Sequence, residues 1–173
     1  MATGSLIKID EEIVTSAVAS VTLTGIDSTY DVYMVRYNNV TFDTNSIDFL
    51  ARVTTSGTPQ TDANYDRASK FLRANTTFAN TADVNQTSYG IIGSAGNATG
   101  EAGNGIFYLF NFNNASEYSF ATVEFVQLDN VPNLNGSQGG FVKTTAEAND
   151  GLHFFVSSGN ISSGNFVLYG LKK

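Results

Sequence analysis

Residues 46–54 read Ser-Ile-Asp-Phe-Leu-Ala-Arg-Val-Thr, and residues 105–112 read Gly-Ile-Phe-Tyr-Leu-Phe-Asn-Phe. In the first stretch Ile47, Phe49, Ala51 and Val53 fall on one phase of a period of two, with Ser46, Asp48, Arg52 and Thr54 on the other. That is the pattern of a half-buried β-strand. Leu50 is its one break, an apolar residue on the polar phase. The second stretch is apolar on both phases, with Ile106, Tyr108, Phe110 and Phe112 against Phe107 and Leu109. A strand of that kind is expected at the centre of a sheet, covered on both faces.

Outward from these two segments the same period recurs. Ala121, Val123 and Phe125 alternate with Thr122 and Glu124, and Leu152, Phe154 and Val156 alternate with His153 and Ser157, with Phe155 breaking the second pattern. Further strands are expected at residues 17–23, 31–37, 86–92, 140–145 and 165–171. Residues 65–74 are ambiguous, because Ala68, Phe71 and Leu72 also fit a turn-spaced helix face; a strand is the preferred reading. Gly, Asn, Asp and Ser punctuate these runs. About ten strands at this spacing predict an all-β fold, an antiparallel two-sheet β-sandwich with jelly-roll-like connections. Loops are expected at residues 55–64, 93–104 and 129–139, the second mobile because it is rich in glycine and small residues. Pro59 and Pro132 fall in the first and third loops, away from any ladder.

A chain of 173 residues with 42% apolar content is the size of one domain and buries roughly 70% of its unfolded surface on folding. We therefore read residues 1–173 as one sandwich domain. It has no cysteine, which removes disulfides, thiolate metal sites and cysteine nucleophiles. The first ten residues lack the 7–15-residue apolar region of a signal peptide. No run approaches the roughly 20 apolar residues of a membrane helix, so no membrane insertion is expected. A net charge of −7 with nine scattered Lys and Arg argues against a nucleic-acid partner, whose phosphates demand clustered cations.

Catalytic and cofactor patterns are not found. The single histidine, His153, has neither a serine elbow nor a metal-ligand spacing around it and reads as a half-exposed sheet residue. Glu124, flanked by Val123 and Phe125, reads as the water-facing member of an alternating strand. Asp43-Thr-Asn45-Ser-Ile-Asp48 places oxygens at alternate positions but lacks the glycine and closing glutamate of a calcium loop, so a plain turn is expected. The several Asn-x-Ser/Thr triplets are what chance gives in a chain this rich in Asn, Ser and Thr. Gly100, Gly103 and Gly105 lead into a strand, where no helix N-terminus awaits a phosphate. No enzyme, metal or cofactor is expected. Tyr30, Tyr33, Tyr65 and Tyr118, set among Asn, Asp and Thr, are the residue types that stack on sugars, and also the types that fill cores and interfaces.

Two stretches go beyond generic alternation: residues 28–40, beginning Ser-Thr-Tyr-Asp-Val-Tyr, and residues 161–172, Ile-Ser-Ser-Gly-Asn-Phe-Val-Leu-Tyr-Gly-Leu-Lys. They resemble the first and last strands of a β-sandwich domain common in bacteriophage virion proteins, among them tail-fibre, head-fibre and capsid-decorating proteins of marine phages. The resemblance implies a non-enzymatic virion structural protein, a capsid-decoration or appendage subunit that contacts other capsid or tail proteins. It also implies homo-oligomers, often trimers, located in the phage particle after assembly in the host cytoplasm. A carbohydrate or host-receptor binding module, with a host surface glycan as ligand, is the competing reading. Candidate contact residues are Leu6, Ile7 and Ile9, within a segment at residues 1–12 that is either a docking arm or an edge strand, together with Lys172 and Lys173.

Overall fold

The computed structural model describes residues 5–172. Thirteen strands follow in chain order: β1 Leu6–Val14, β2 Ser20–Thr24, β3 Val32–Phe42, β4 Ile47–Thr55, β5 Thr58–Pro59, β6 Tyr65–Arg73, β7 Ala79–Gln86, β8 Tyr89–Ala95, β9 Gly103–Phe110, β10 Ser119–Leu128, β11 Leu134–Lys143, β12 Gly151–Val156 and β13 Ile161–Leu171. No helix occurs among the described residues. All pairings between strands are antiparallel. An eight-stranded sheet runs β1-β13-β3-β9-β10-β11-β6-β7, and a smaller one runs β2-β12-β4, with β5 and β8 both on the far edge of β4.

The chain order within these sheets defines the fold. If β1, β2, β3, β4, β8, β9, β12 and β13 are taken in sequence as positions 1 to 8, one sheet reads 1-8-3-6 and the other 2-7-4-5. That is a jelly roll, in which the two ends of the chain pair beside each other and each inner strand pairs with one from the opposite half. Two insertions enlarge it. β5–β7 lie between positions 4 and 5, β10–β11 between positions 6 and 7, and together they extend the larger sheet as a wing, β10-β11-β6-β7.

The core between the sheets is aromatic. Tyr37, Phe107 and Phe166 from the large sheet meet Phe49 and Phe154 from the small one, with ring centroids 5.3–6.4 Å apart, and all five are fully buried. Offset and edge contacts of this kind add to simple area burial. Tyr37 lies over Gly105, its partner across β3 and β9. A Cβ at position 105 would overlap the Tyr37 ring, so the glycine is what admits it.

Residues 65–73 form the preferred strand, β6, and the helix alternative falls. Other expectations change. The expected strand at 86–92 straddles the turn between β7 and β8. The motif at 28–40 supplies the third strand and not the first, and it pairs directly with the motif at 161–172 as β3 and β13. The expected loop at 129–139 ends at Asn133, and from Leu134 onward the chain is strand β11. Its Leu-Asn-Gly-Ser-Gln-Gly-Gly sequence hides this, because Gly136, Gly139 and Gly140 lie where neighbouring backbones leave no room for a Cβ. The 93–104 loop shrinks to residues 96–102, tied down by Asn97 Nδ2 to the Asp43 carbonyl (3.1 Å) and by the Ala98 N–H to the buried Glu101 carboxylate (2.8 Å). Pro59 falls in β5, on the edge of the small sheet, where a missing N–H is tolerated. The two pattern breaks explain each other: Leu50 and Phe155 are cross-strand partners on the outer side of the small sheet.

Candidate functional site

The strand at 105–112 is central, as expected, but it is covered on one face only. β9 ends at Phe110; Phe107 and Leu109 are buried in the core, while Tyr108 points outward and is 40% exposed. Among the described residues no layer packs on that outer face, so the apolar phase that suggested double burial instead lies open. β10 continues it. With Ala121, Val123 and Phe125 inward, the opposite phase of the same strand carries Phe120 and Val126, 44% and 47% exposed.

The register shows how these side chains adjoin. One row across the outer face runs Val32, Phe110, Phe120, Val142 from β3 to β11. The next runs Tyr169, Met34, Tyr108, Thr122, Gly140, Ala68, Ala82 from β13 to β7. The third runs Glu11, Val167, Arg36, Ile106, Glu124, Gln138, Lys70. Aromatic and aliphatic groups therefore form a band over β3, β9 and β10, and small residues in β11, β6 and β7 leave a shallow step beside it. A trough of about 390 Å³ lies along Ile106, Tyr108, Thr122 and Gln138.

The polar groups of this face pair largely with one another, although Arg36 Nε is buried without a partner among the described residues. Lys8 Nζ donates to Glu11 (2.7 Å), Asn165 Nδ2 donates to the same carboxylate (2.9 Å), and Arg36 donates to Asn165 Oδ1 (2.8 Å). Glu124 accepts from Gln138 Nε2 at 2.6 Å. Hydrogen bonds from Lys8 and Asn165 hold the Glu11 carboxyl below its usual range. The central rows carry Lys8, Arg36 and Lys70 against Glu11, Glu124 and Asp66, so this face is electrically balanced although the chain carries −7.

The two ends of the chain meet at the edge of the same sheet. β1 pairs with β13 along its whole length, with a shift between Lys8 and Asp10, and Lys172 N–H donates to the Ser5 carbonyl (3.3 Å). Of the two readings of the N-terminal segment, the edge strand describes residues 6–14; residues 1–4 and Lys173 lie outside the described residues. Leu6 and Ile7 are exposed, whereas Ile9 packs against the core.

The four tyrosines do not form one site. Tyr33 is buried, its hydroxyl accepting from the Asp27 N–H (2.9 Å) and donating to the Asp27 carbonyl (2.7 Å). Tyr30 packs edge-on against it and covers Gly170, the residue opposite Ile7. Tyr65 is buried on the inner side of the wing, accepting from Val53 N–H (3.1 Å) and donating to the Gln60 carbonyl (2.9 Å). Burial pushes its pKa well up. Tyr118 alone is broadly exposed.

His153 sits on the outer side of the small sheet, Nδ1 2.8 Å from Thr22 Oγ1 and its ring stacked on Phe155, over which Arg52 lies 4.3 Å from the centroid. Burial, and then the Arg52 charge, lower its pKa. The bend at Asp43 is tied to a distant loop and not, as expected of a plain turn, to its own backbone: its carboxylate accepts from Asn160 N–H and Nδ2 (both 2.8 Å) and from Thr44 Oγ1 (2.9 Å). Among the described residues no group of three or more His, Cys, Asp or Glu is placed to hold a metal.

The residues missed from sequence are Tyr108, Phe120 and Val126. Their signal was present in β10, where the phase that puts Val123 inward necessarily puts Phe120 and Val126 outward. The chain matches no protein-family model and no curated protein.

Proposed function

We propose that the protein is a non-enzymatic structural subunit that acts through intermolecular contacts, and that the outer face of its eight-stranded sheet packs against a second copy of the chain. The observation that carries this reading is the uncovered apolar band of Tyr108, Phe120 and Val126 over β9 and β10. Contiguous exposed apolar surface marks contact sites on soluble proteins. A like chain is favoured as occupant because net charge of −7 would repel it from most of the surface but not from this balanced face. Eight strands at about 4.8 Å spacing make a face roughly 34 Å wide, enough for the roughly 800 Å² per partner of a standard interface.

A virion subunit is the setting that fits. The two quoted motifs resemble those of phage virion sandwiches, jelly rolls are a recurrent capsid architecture, and a cysteine-free fold needs no oxidising compartment. Against catalysis, His153 is engaged by Thr22 and Phe155, and Glu124 by Gln138. Sedimentation velocity over a concentration series tests the contact: association is expected for the native chain and its loss in Tyr108→Ser/Phe120→Ser. A native chain that is monomeric throughout would refute the like-copy contact.

A further inference from the structure

The inner face of the wing extends beyond the small sheet, and β8 only partly covers it. Between them lies a cleft of about 250 Å³, just below the roughly 300–1,000 Å³ of pockets for drug-sized ligands and suited to one small unit. The register places its lining together. Phe125, Ser137 and Phe71 form one row across β10, β11 and β6; Ser69 and Thr81 adjoin it across β6 and β7; Asn135 faces Arg73 in the next row. Ile91, Gly93 and Ser94 of β8 form the opposite wall with Asp129.

The polar groups of this cleft are incompletely paired. Asn135 is 4% exposed, donates through Nδ2 to Asp129 (2.6 Å), and leaves Oδ1 buried with no partner among the described residues. Arg67 bonds the Gly90 carbonyl (2.6 Å) and Asp83 but leaves Nε buried and unpartnered. The hydroxyls of Ser69, Thr81, Ser94 and Ser137 make no hydrogen bond within the described residues, and the Arg73 guanidinium only stacks on Phe71, 4.7 Å from its centroid. Of these groups Asn135 Oδ1 and Arg67 Nε are buried orphans, uncommon in native proteins and calling for a partner, while the hydroxyls and Arg73 stand at the cleft's open side, free to join in holding it.

The two orphans and the free groups around them specify that partner's chemistry. Asn135 Oδ1 accepts only, Arg67 Nε and Arg73 donate only, and the serine and threonine hydroxyls do both. A ligand must therefore donate and accept from closely spaced positions, as vicinal hydroxyls do, and offer an apolar side to Phe71, Ile91 and Phe125. Charge narrows it further. Arg67 is paired with Asp83, and Asp129 offsets Arg73, so the lining has no net charge with which to favour an anion. We infer that the cleft between the wing and β8 binds a single unit of a neutral saccharide.

The test is an NMR titration of the full chain with methyl glucoside, methyl galactoside, methyl mannoside and N-acetylglucosamine, with glucuronate and glycerol in parallel. At least one neutral sugar is expected to shift amides of β6, β11 and β8 selectively. Ser69→Ala/Ser137→Ala, which truncates two hydroxyls without disturbing the ladder, should weaken that sugar by about fivefold to tenfold, the loss of one or two neutral hydrogen bonds. Unchanged backbone shifts away from the cleft establish that the variant is folded. No response to any of the four sugars, an equal response to glycerol, stronger binding of glucuronate, or unchanged affinity in the variant would each overturn the assignment. None of these outcomes bears on self-association, which has its own readout.

Discussion

Tyr37→Phe should make the protein more stable. The Tyr37 ring is the hub of the aromatic core, in contact with Phe49, Phe107, Phe154 and Phe166, yet its hydroxyl is buried without a hydrogen-bond partner among the described residues. Burial, and then the neighbouring Tyr89, push its pKa far up. An unsatisfied buried hydroxyl costs about 1–3 kcal/mol relative to its hydrated state in the unfolded chain. Removing the oxygen leaves every ring contact in place, at the expense of a void smaller than a methyl group. The balance is a gain of about 1 kcal/mol, or roughly 2–4 °C in Tm at this chain length. Tyr65→Phe is the matched control. It has the same chemistry and burial, but its hydroxyl serves Val53 N–H and the Gln60 carbonyl, so it should lose about 1–3 kcal/mol. Urea unfolding followed by tyrosine fluorescence and circular dichroism reads both. A Tyr37→Phe variant destabilised by 1 kcal/mol or more, or a neutral Tyr65→Phe, would refute the reasoning.

Other consequences are open to direct measurement. Gly139→Ala forces a Cβ into the backbone of Ala68 and Ser69 on β6 and should cost about 1–3 kcal/mol, read by thermal unfolding; an unchanged Tm would mean that β11 does not run beside β6 in this register. His153 has a pKa below its ordinary 6.5, so the unfolded chain binds the proton more readily and stability falls as pH drops from about 6.5 towards the folded-state value. Urea midpoints at pH 7 and pH 5 should differ less in His153→Asn than in the native protein, and an equal difference would remove His153 as the cause. Amide exchange should be slowest in β3 and β9, interior to the large sheet, and faster in the edge strand β7; protection of β7 equal to that of β9 would show that the wing's edge is covered.

Period-two patterning made much of the sandwich legible, because residues such as Phe49, Val53, Val123 and Phe154 alternate cleanly with polar neighbours and each points to the core. It could not reveal strands built from small or polar residues. β7, Ala-Asn-Thr-Ala-Asp-Val-Asn-Gln, is an edge strand with little to bury, and β11 uses glycines for close approach, the same residues that mark loops elsewhere. Nor does alternation say whether an apolar outer phase has a covering layer. Tyr108 and Phe110 therefore read as doubly buried from sequence, and the open face follows only from the placement of β9 beside β10. The candidate sites fared less evenly for a related reason: tyrosine composition is the same for Tyr33 and Tyr65, which are hydrogen-bonded core residues, as for the exposed Tyr118. The two terminal segments, each a contact candidate in the sequence, pair with one another as β1 and β13. Deleting the first ten residues would thus remove half of an edge strand and the core contact of Ile9, and would not isolate a docking arm.

The proposal that the outer face of the large sheet is a contact surface between copies is tested most directly by sedimentation equilibrium on the native chain and on Tyr108→Ser/Phe120→Ser, with circular dichroism to confirm an unchanged β spectrum. The prediction is a concentration-dependent oligomer for the native chain and a monomer of equal sheet content for the variant. A monomeric native chain, or a variant that associates as strongly as the native protein, would contradict it.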